Sequence, residues 1–263
     1  MISAKVIADS ITYGGHRLTT LEVNFHRFIL AEVNTHRLFS RNSASSRAIP
    51  IEKQINKVIN NPAMPIRFGS NQPGMQAGKD LEGKELEDAK NIWLMARDKA
   101  VASAIELNAL GIHKQLVNRI LEPFMWHTAI ISATDFAGFF EQRISNLAQP
   151  EIEVLAIEMK KAIDISTPEF IKYGSWHLPY LSEEEKCIYD TDTQLMCSVA
   201  RCARVSYLTH DGVIDINKDI DLYNRLTTAE PPHWSPLEHV ATTSYGRHSL
   251  GNFTGWHQLR HMV

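Results

Sequence analysis

The chain has 263 residues, 44% hydrophobic and 22% charged, with a formal net charge of −3 at pH 7. That length supports one large or two small domains around a sizeable core, and the composition excludes disordered, collagen-like and coiled-coil classes. A slightly acidic balance gives no global attraction to nucleic acid, so any anion site has to come from local clustering.

Cys187, Cys197 and Cys202 stand in neither a CxxC nor a zinc-type spacing and read as buried thiols in a reducing compartment. The opening MISAKVIADS has neither a signal-peptide nor a transit-peptide pattern, and no apolar run reaches membrane-spanning length. The expectation is a soluble, cytoplasmic protein.

In chain order, residues 19–25 alternate as a strand does. The run 26–40 predicts a helix, because Phe28, Leu30, Ala31 and Val33 fall on one broad face. A short helix follows Pro50. The Pro-, Gly- and Asn-rich run 61–78 predicts a long irregular loop, a length usually functional or mobile inside a domain. From Leu81, apolar residues at Leu86, Ala89, Trp93, Ala96, Ala100, Ala104 and Leu107 recur at steps of three and four, with Gly111 placed to end the helix. Further helices are predicted over 114–120, 126–144 and 150–165, the last opening with acids after Pro150. Residues 174–185 read as a connection, and its SEEEK run as a solvated acidic turn. Helices follow over 193–207, with Leu195, Val199 and Cys202 on one side, and over 219–229. Residues 230–239 read as a turn, and the Gly-rich 246–263 fits no assignment. With no repeat and no linker, residues 1–263 read as one α+β domain, helix-rich, with a modest, mainly antiparallel sheet. Trp93, Trp126 and Trp176 read as core or helix-interface residues. His233 and His239 bracket SPLE without a third ligand, so no metal site is expected.

The densest chemistry lies at 34–50, NTHRLFSRNSASSRAIP, where no carboxylate interrupts a run of arginines and hydroxyls. Arginine offers a planar fork of donors for a phosphate, and serine hydroxyls with backbone N–H groups can complete its shell. The stretch lacks the glycines and GK[ST] ending of a P-loop. By composition alone it reads equally as a solvated basic turn.

Spacing is more specific. The string His36-Arg37-x-x-Ser40-x-Asn42-x-x-Ser45-x-Arg47 resembles the RHRxxSxNxxSxR signature of the flavin-dependent thymidylate synthases, with Thr35 replacing the first arginine. FFEQRISNLAQPEI, 139–152, is similar to the family helix that carries a catalytic arginine ahead of an AQ-x-EI segment, and matches it at Arg143. LGIHKQLVNRILEP resembles the segment whose arginine precedes an L-P turn, here Arg119. ARCARVSY, 200–207, and HWSPLEH, 233–239, resemble elements that in the family precede the basic signature. Here they follow it, so the resemblance implies a circular permutation, with 195–245 matching the usual opening part. Such rearrangement is tolerated where termini lie close together at the surface.

The resemblance implies a flavin-dependent thymidylate synthase-like fold and the conversion of dUMP to dTMP. Methylenetetrahydrofolate would give the one-carbon unit, reduced FAD the hydride, and NADPH the electrons for the flavin. It also implies a homotetramer and no cysteine nucleophile. Arg143 would be catalytic, a fixed cation stabilising electron density around N3 and O4 while C5 becomes nucleophilic. The dUMP set would be Glu32, Ser45, Ser46, Arg47, Arg119 and Arg143, with Glu32 at a position where the family has glutamine. The FAD set would be His36, Arg37, Leu38, Asn42, Ser43, Ser206, Ser235 and Glu238. Glu238 also reads as a capping acid after Ser235-Pro236. Ser43 stands where an acid is usual, and Ser132, Thr134, Gly138 and Leu147 replace flavin-side residues. Those departures keep two alternatives open: a relative making another 5-substituted deoxypyrimidine nucleotide, such as the 5-hydroxymethyl compound, and a non-catalytic nucleotide-binding protein.

Overall fold

Residues 1–207, 215–244 and 249–263 are described by a computed structural model. The predicted strand at 19–25 sits at the centre of a five-stranded sheet. Strand β1 (Ser3–Ile11) and strand β2 (Arg17–His26) pair antiparallel through a turn in which Gly15 adopts φ 76°. β1 has no counterpart among the predicted elements. The 26–40 helix is corrected: after a 3-10 turn, only α1 (Leu30–Asn34) is α-helical, and the signature itself begins on strand β3 (Ser40–Ser43). The β3 side chains facing inward are polar, so no apolar alternation marks it.

Helix α2 (Ile51–Asn60) follows Pro50, and the irregular run after it folds back through a Gly69–Asp80 bridge. Helix α3 (Gly83–Ala109) ends as predicted, with Gly111 at φ 77°. Helix α4 (Lys114–Val117) continues into a 3-10 segment, Asn118–Phe124, rather than running to residue 120 as α-helix. The 126–144 helix is also corrected, into strand β4 (Trp126–Ala133) and helix α5 (Ala137–Arg143). WHTAIISA puts Ile130 and Ile131 on opposite faces, so periodicity alone cannot separate strand from helix there. Asp135 breaks the run, its carboxylate accepting from Ala137 N–H at 2.8 Å. Helix α6 (Pro150–Ile165) matches its prediction. The two-residue strand β5 (Glu169–Phe170) pairs parallel with β1, completing the sheet in the order β3-β4-β2-β1-β5.

The two faces of that sheet differ. Leu21, Val23 and Phe25 of β2, with Ala129 and Ile131 of β4, pack against Ile152, Leu155, Ala156 and Met159 of α6. On the other face Thr20, Ser132 and Ser40 stand in register across β2, β4 and β3. All three are buried, and the last third of the chain covers them. It comprises β6 (Trp176–His177), α7 (Glu183–Ile188), α8 (Thr191–Arg204), α9 (Ile216–Thr227), β7 (Ala241–Thr243), β8 (Ser249–Leu250), β9 (Phe253–Thr254) and β10 (Trp256–Gln258). β10, β7 and β6 form a second small sheet. Residues 246–248 of the unassigned Gly-rich stretch lie outside the described residues.

Hydrogen bonds join the polar face to this cover. His177 Nε2 lies 2.7 Å from Thr20 Oγ1, which lies 2.6 Å from Ser132 Oγ, and His239 Nδ1 lies 2.7 Å from Ser132 Oγ. His177 Nδ1 reaches Ser10 Oγ at 2.9 Å, and Gln258 Nε2 donates to Ser40 Oγ at 2.9 Å. Burial pushes both imidazoles down to about 3, so they are neutral at physiological pH.

Within the cover, SEEEK is a capped helix start rather than a solvated turn. Ser182 and Glu185 form a reciprocal capping box, and Glu185 is buried. Arg201 of α8 binds Glu185 at 2.6 Å and Asp219 of α9 at 2.9 Å, while Arg204 binds Asp219 at 2.6 Å. Cys197 and Cys202 are buried as expected, but Cys187 is exposed. Trp93, Trp126 and Trp176 are each half-buried against apolar clusters. Among the described residues no helix is long and apolar enough to cross a membrane.

The Arg201 hydrogen bonds hold the Glu185 carboxyl below its usual range, against the opposing pull of burial. The folded pKa is therefore below the unfolded one. The resulting stability is present above the ordinary carboxylate range and lost as pH falls through the depressed value. Urea midpoints measured from pH 7 to pH 3 should fall less steeply in Glu185→Gln. Arg201→Ala, which strands the buried Glu185 carboxylate and leaves Asp219 with Arg204 alone, should cost about 3–5 kcal/mol at pH 7.

Candidate functional site

The site is built outward from Asn42. In β3 it lies opposite Ile130, only 6% exposed, on the face covered by α8. Its Nδ2 donates to the Cys202 carbonyl at 2.7 Å, at the end of α8. Its Oδ1 accepts from Ser206 Oγ at 3.2 Å and Ser235 Oγ at 3.1 Å. These partners lie 160, 164 and 193 residues away in sequence. One residue past β3, the backbone adds a further tie: Ala44 N–H donates to the Thr128 carbonyl and Ser45 N–H to the Ser206 carbonyl, both at 2.9 Å. Asn42, Ser45, Ser206 and Ser235 thus meet at one place.

The turn carrying Ser45, Ser46 and Arg47 is held from its other side. Asn118 Nδ2 donates to the Ser46 carbonyl at 2.7 Å and to the Ile49 carbonyl at 2.9 Å, and Lys114 Nζ to the Ala48 carbonyl at 3.1 Å. Ser46 is buried and Arg47 exposed. Arg119 follows Asn118 in the same 3-10 segment, and no contact among the described residues places its side chain at this turn. Its Nη1 donates to Glu122 at 2.8 Å, which also pairs with Arg27, so Arg119 is partly neutralised within the chain.

A second group forms where α5 meets the start of the signature. Arg143 Nε donates to His36 Nε2 at 2.9 Å, and its Nη2 to Thr35 Oγ1 at 3.3 Å. His36 packs edge-on to Phe139, with ring centroids 4.7 Å apart. Burial, then the charges of Arg143 and Arg41, lower the His36 pKa. It is therefore a neutral acceptor that fixes the guanidinium without neutralising it. Arg41 donates to the carbonyls of Val33 and His36 at the end of α1, a placement favourable to a cation. Glu32 has a buried carboxylate oxygen, Oε2, with no hydrogen-bond partner. Arg37 and Leu38 are exposed, Leu38 by 53%.

Several of the residues singled out in the sequence lie apart from these two groups. Ser43 follows Asn42 on a strand, so it points to the opposite face and is separated from Ser206 and Ser235. Glu238 is no cap: the 3-10 helix Ser235–Glu238 has no side-chain cap, and Glu238 is ion-paired with Arg260. Ser132 is committed to Thr20 and His239, and Thr134 Oγ1 accepts from Thr254 N–H at 3.1 Å. A Cβ at Gly138 would meet nothing within 4 Å, and Leu147 is 72% exposed. Gln258 and Arg260 were not predicted. Gln258 donates to the Glu238 carbonyl at 2.8 Å as well as to Ser40, and Arg260 lies 5.9 Å from the Trp234 ring centroid. HQLRHMV carries no periodicity that could have signalled either role. Among the described residues no group of three His, Cys, Asp or Glu side chains is placed to hold a metal ion.

No family model matches the chain, and no curated protein matches its sequence. Among solved structures it is similar to the UMP/dUMP methylase PolB from Streptomyces cacaoi bound with 5-Br UMP, at 15% identity and a TM-score of 0.50, covering 62% of this chain and 88% of that chain. A second structure of the same methylase, bound with 5-Br dUMP, gives 13% identity and a TM-score of 0.46 over 62% of this chain and 90% of that one. The first likeness places the two chains in a common fold over the matched span.

Replacing Asn42 by alanine leaves the Ser206 and Ser235 hydroxyls and the Cys202 carbonyl without their partner. The expected cost is about 1–3 kcal/mol in urea unfolding. Asn42→Asp should also destabilise, because the carboxylate retains acceptors but cannot donate to Cys202.

Proposed function

We propose that the chain is a flavin-dependent thymidylate synthase with permuted motif order, converting dUMP to dTMP with methylenetetrahydrofolate as one-carbon donor. The observation that carries this reading is the meeting of Asn42 and Ser45 with Ser206 and Ser235. Fragments from opposite ends of the chain converge where the family signature would need them. In this reading the 195–245 segment is the family's opening element, carried at the chain's end. The common fold with a protein named as a UMP/dUMP methylase supports a uridine nucleotide as substrate.

The residues take roles consistent with their surroundings. Arg143, oriented by neutral His36, has its Nη1 without a partner among the described residues and would face N3 and O4 of the pyrimidine. There a preorganised cation stabilises the electron density that makes C5 nucleophilic. Glu32 belongs to the dUMP set by the resemblance alone, because its unsatisfied Oε2 is sealed from solvent. Arg47 and the Ser45 hydroxyl would meet the phosphate, with Ser46 contributing backbone because its side chain is buried. Arg119 keeps donors free of Glu122 for the same group.

The signature's exposed edge fits a large anionic cofactor. Arg37 offers a guanidinium without a partner among the described residues for a pyrophosphate, and Leu38 an apolar surface beside it. Asn42, Ser206 and Ser235 bind one another and would shape the wall. FAD bound there would supply the hydride, with NADPH as the source of its electrons. A second copy of the chain would cover this open edge, which accords with a homotetramer.

A second product is favoured by one observation. Ser132 and Thr134, at flavin-side positions, direct their hydroxyls into internal hydrogen bonds, and Gly138 contributes no side chain. With a flavin held by fewer contacts, the transferred methylene would take up water in place of the hydride, giving 5-hydroxymethyl-dUMP. Mass spectrometry of the product separates the readings, since dTMP alone eliminates this one.

Absorbance of the purified protein should show a flavin band that shifts on adding dUMP. Arg143→Ala should lower turnover about 100-fold or more while retaining that band. Unchanged turnover would remove Arg143 from the chemistry, and salt-sensitive DNA binding without flavin would favour the non-catalytic alternative.

A further inference from the structure

Arg143 is held by two acceptors, and each acceptor is itself oriented. Its Nε donates to His36 Nε2 at 2.9 Å and its Nη2 to Thr35 Oγ1 at 3.3 Å. A ring nitrogen that accepts carries no proton, so the proton of neutral His36 sits on Nδ1. The Thr35 hydroxyl spends its own proton on the Glu32 carbonyl at 2.6 Å, which leaves the lone pairs of Oγ1 for the guanidinium. Thr35 N–H donates to the same carbonyl at 3.2 Å, so main chain and side chain share one anchor.

The imidazole is fixed partly by the helix that carries the arginine. Phe139 lies four residues before Arg143 on α5 and meets the ring edge-on, with centroids 4.7 Å apart. Phe39 flanks the ring at 5.8 Å, and both phenylalanines are buried. The charged groups acting on the imidazole are Arg143 from α5 and Arg41 from β3, both cations. Arg41 also donates to the His36 carbonyl at 3.1 Å. Of the nearby acids, Glu238 is ion-paired with Arg260, and Glu32 has its Oε2 sealed from solvent. Protonating His36 would replace its acceptor with an N–H aimed at a guanidinium N–H, between two like charges. The bond to Arg143 Nε is then lost, and the longer one to Thr35 remains.

We infer, resting on the reading of Arg143 as the cation that faces the pyrimidine, that His36 and Thr35 are its positioning residues and that Arg143 is aimed only while the His36 ring is neutral. A carboxylate in place of either acceptor would hold the guanidinium but cancel part of its charge. Two neutral acceptors fix its direction and leave that charge for the substrate. One proton on His36 therefore turns the site off.

The pH dependence of kcat and of KM for dUMP, at saturating FAD, tests this. Wild-type kcat should fall about tenfold per pH unit on an acid limb below the ordinary imidazole range, as one proton requires. His36→Gln offers a neutral acceptor that does not titrate, so it should keep most of the turnover near neutral pH and lose that limb. His36→Leu keeps an apolar body against the two phenylalanines, and Thr35→Val keeps the shape of threonine. Each should lower kcat about tenfold, the worth of one hydrogen bond, with a smaller change in KM. A wild-type profile without an acid limb overturns the inference, as does a limb that persists in His36→Gln or wild-type kcat in both His36→Leu and Thr35→Val. Nitrogen-15 NMR of His36 reads the contact without turnover: the ring should carry its proton on Nδ1, and Arg143→Gln should raise its pKa. A proton on Nε2, or an unchanged pKa in that variant, would remove the contact. Turnover retained in Arg143→Ala would instead end the catalytic reading while the NMR result stood, so the two failures are told apart.

Discussion

Thr20, Ser132 and Ser40 stand side by side on three neighbouring strands with their hydroxyls sealed from water. A hydroxyl left unpaired in such a place costs about 1–3 kcal/mol. Whatever covers this face must therefore bring hydrogen-bonding groups at matching positions. His177, His239 and Gln258 do so from three segments of the last third of the chain. An apolar cover like the one α6 gives the opposite face would strand Ser40 and leave Thr20 and Ser132 only each other. Directional bonds, more than apolar contact, fix how the C-terminal third sits on the sheet. Because Asn42 lies on the same face two residues beyond Ser40, the same docking brings Ser206 and Ser235 to it.

The candidate site is an edge of that assembly. Its walls are neutral and internally satisfied: Asn42 with its hydroxyl partners, His36 uncharged, Cys202 kept protonated by burial. Its cations sit at the margin, where Arg37 and Arg47 reach solvent and Arg143 is held by a neutral acceptor. Charge on such a rim keeps its full interaction with an incoming anion, whereas an internal carboxylate partner would cancel part of it, as Glu122 does for Arg119. Glu238 and Glu32 are the exceptions within the predicted set: Arg260 ties the first to the C-terminal segment, and the second keeps a buried oxygen without a partner among the described residues.

Elements whose signal is local were legible. α3 and α6 have long apolar periodicity, and their limits follow from Gly111 and Pro150. β2 alternates because one of its faces is apolar. The failures share a cause. β3 presents Ser40 and Asn42 inward, which is the reverse of a strand signal unless buried partners exist. β4 carries Ile130 and Ile131 on opposite faces, against α8 and α6, so its apolar residues show no two-residue period to read. Glu185 looked solvated because its partner Arg201 lies on the following helix.

By itself the sequence determined the residue types at the site and their spacing along each segment. Spacing along one chain segment reflects local geometry, so the signature, Arg119 and Arg143 could be singled out. Which of those residues meet was decided only by tertiary structure. Asn42 reaches Ser206 and Ser235 across more than 160 residues, while its neighbour Ser43 turns away. Such contacts depend on strand register and on polar groups finding partners across the core, and neither leaves a periodic trace in the order of amino acids.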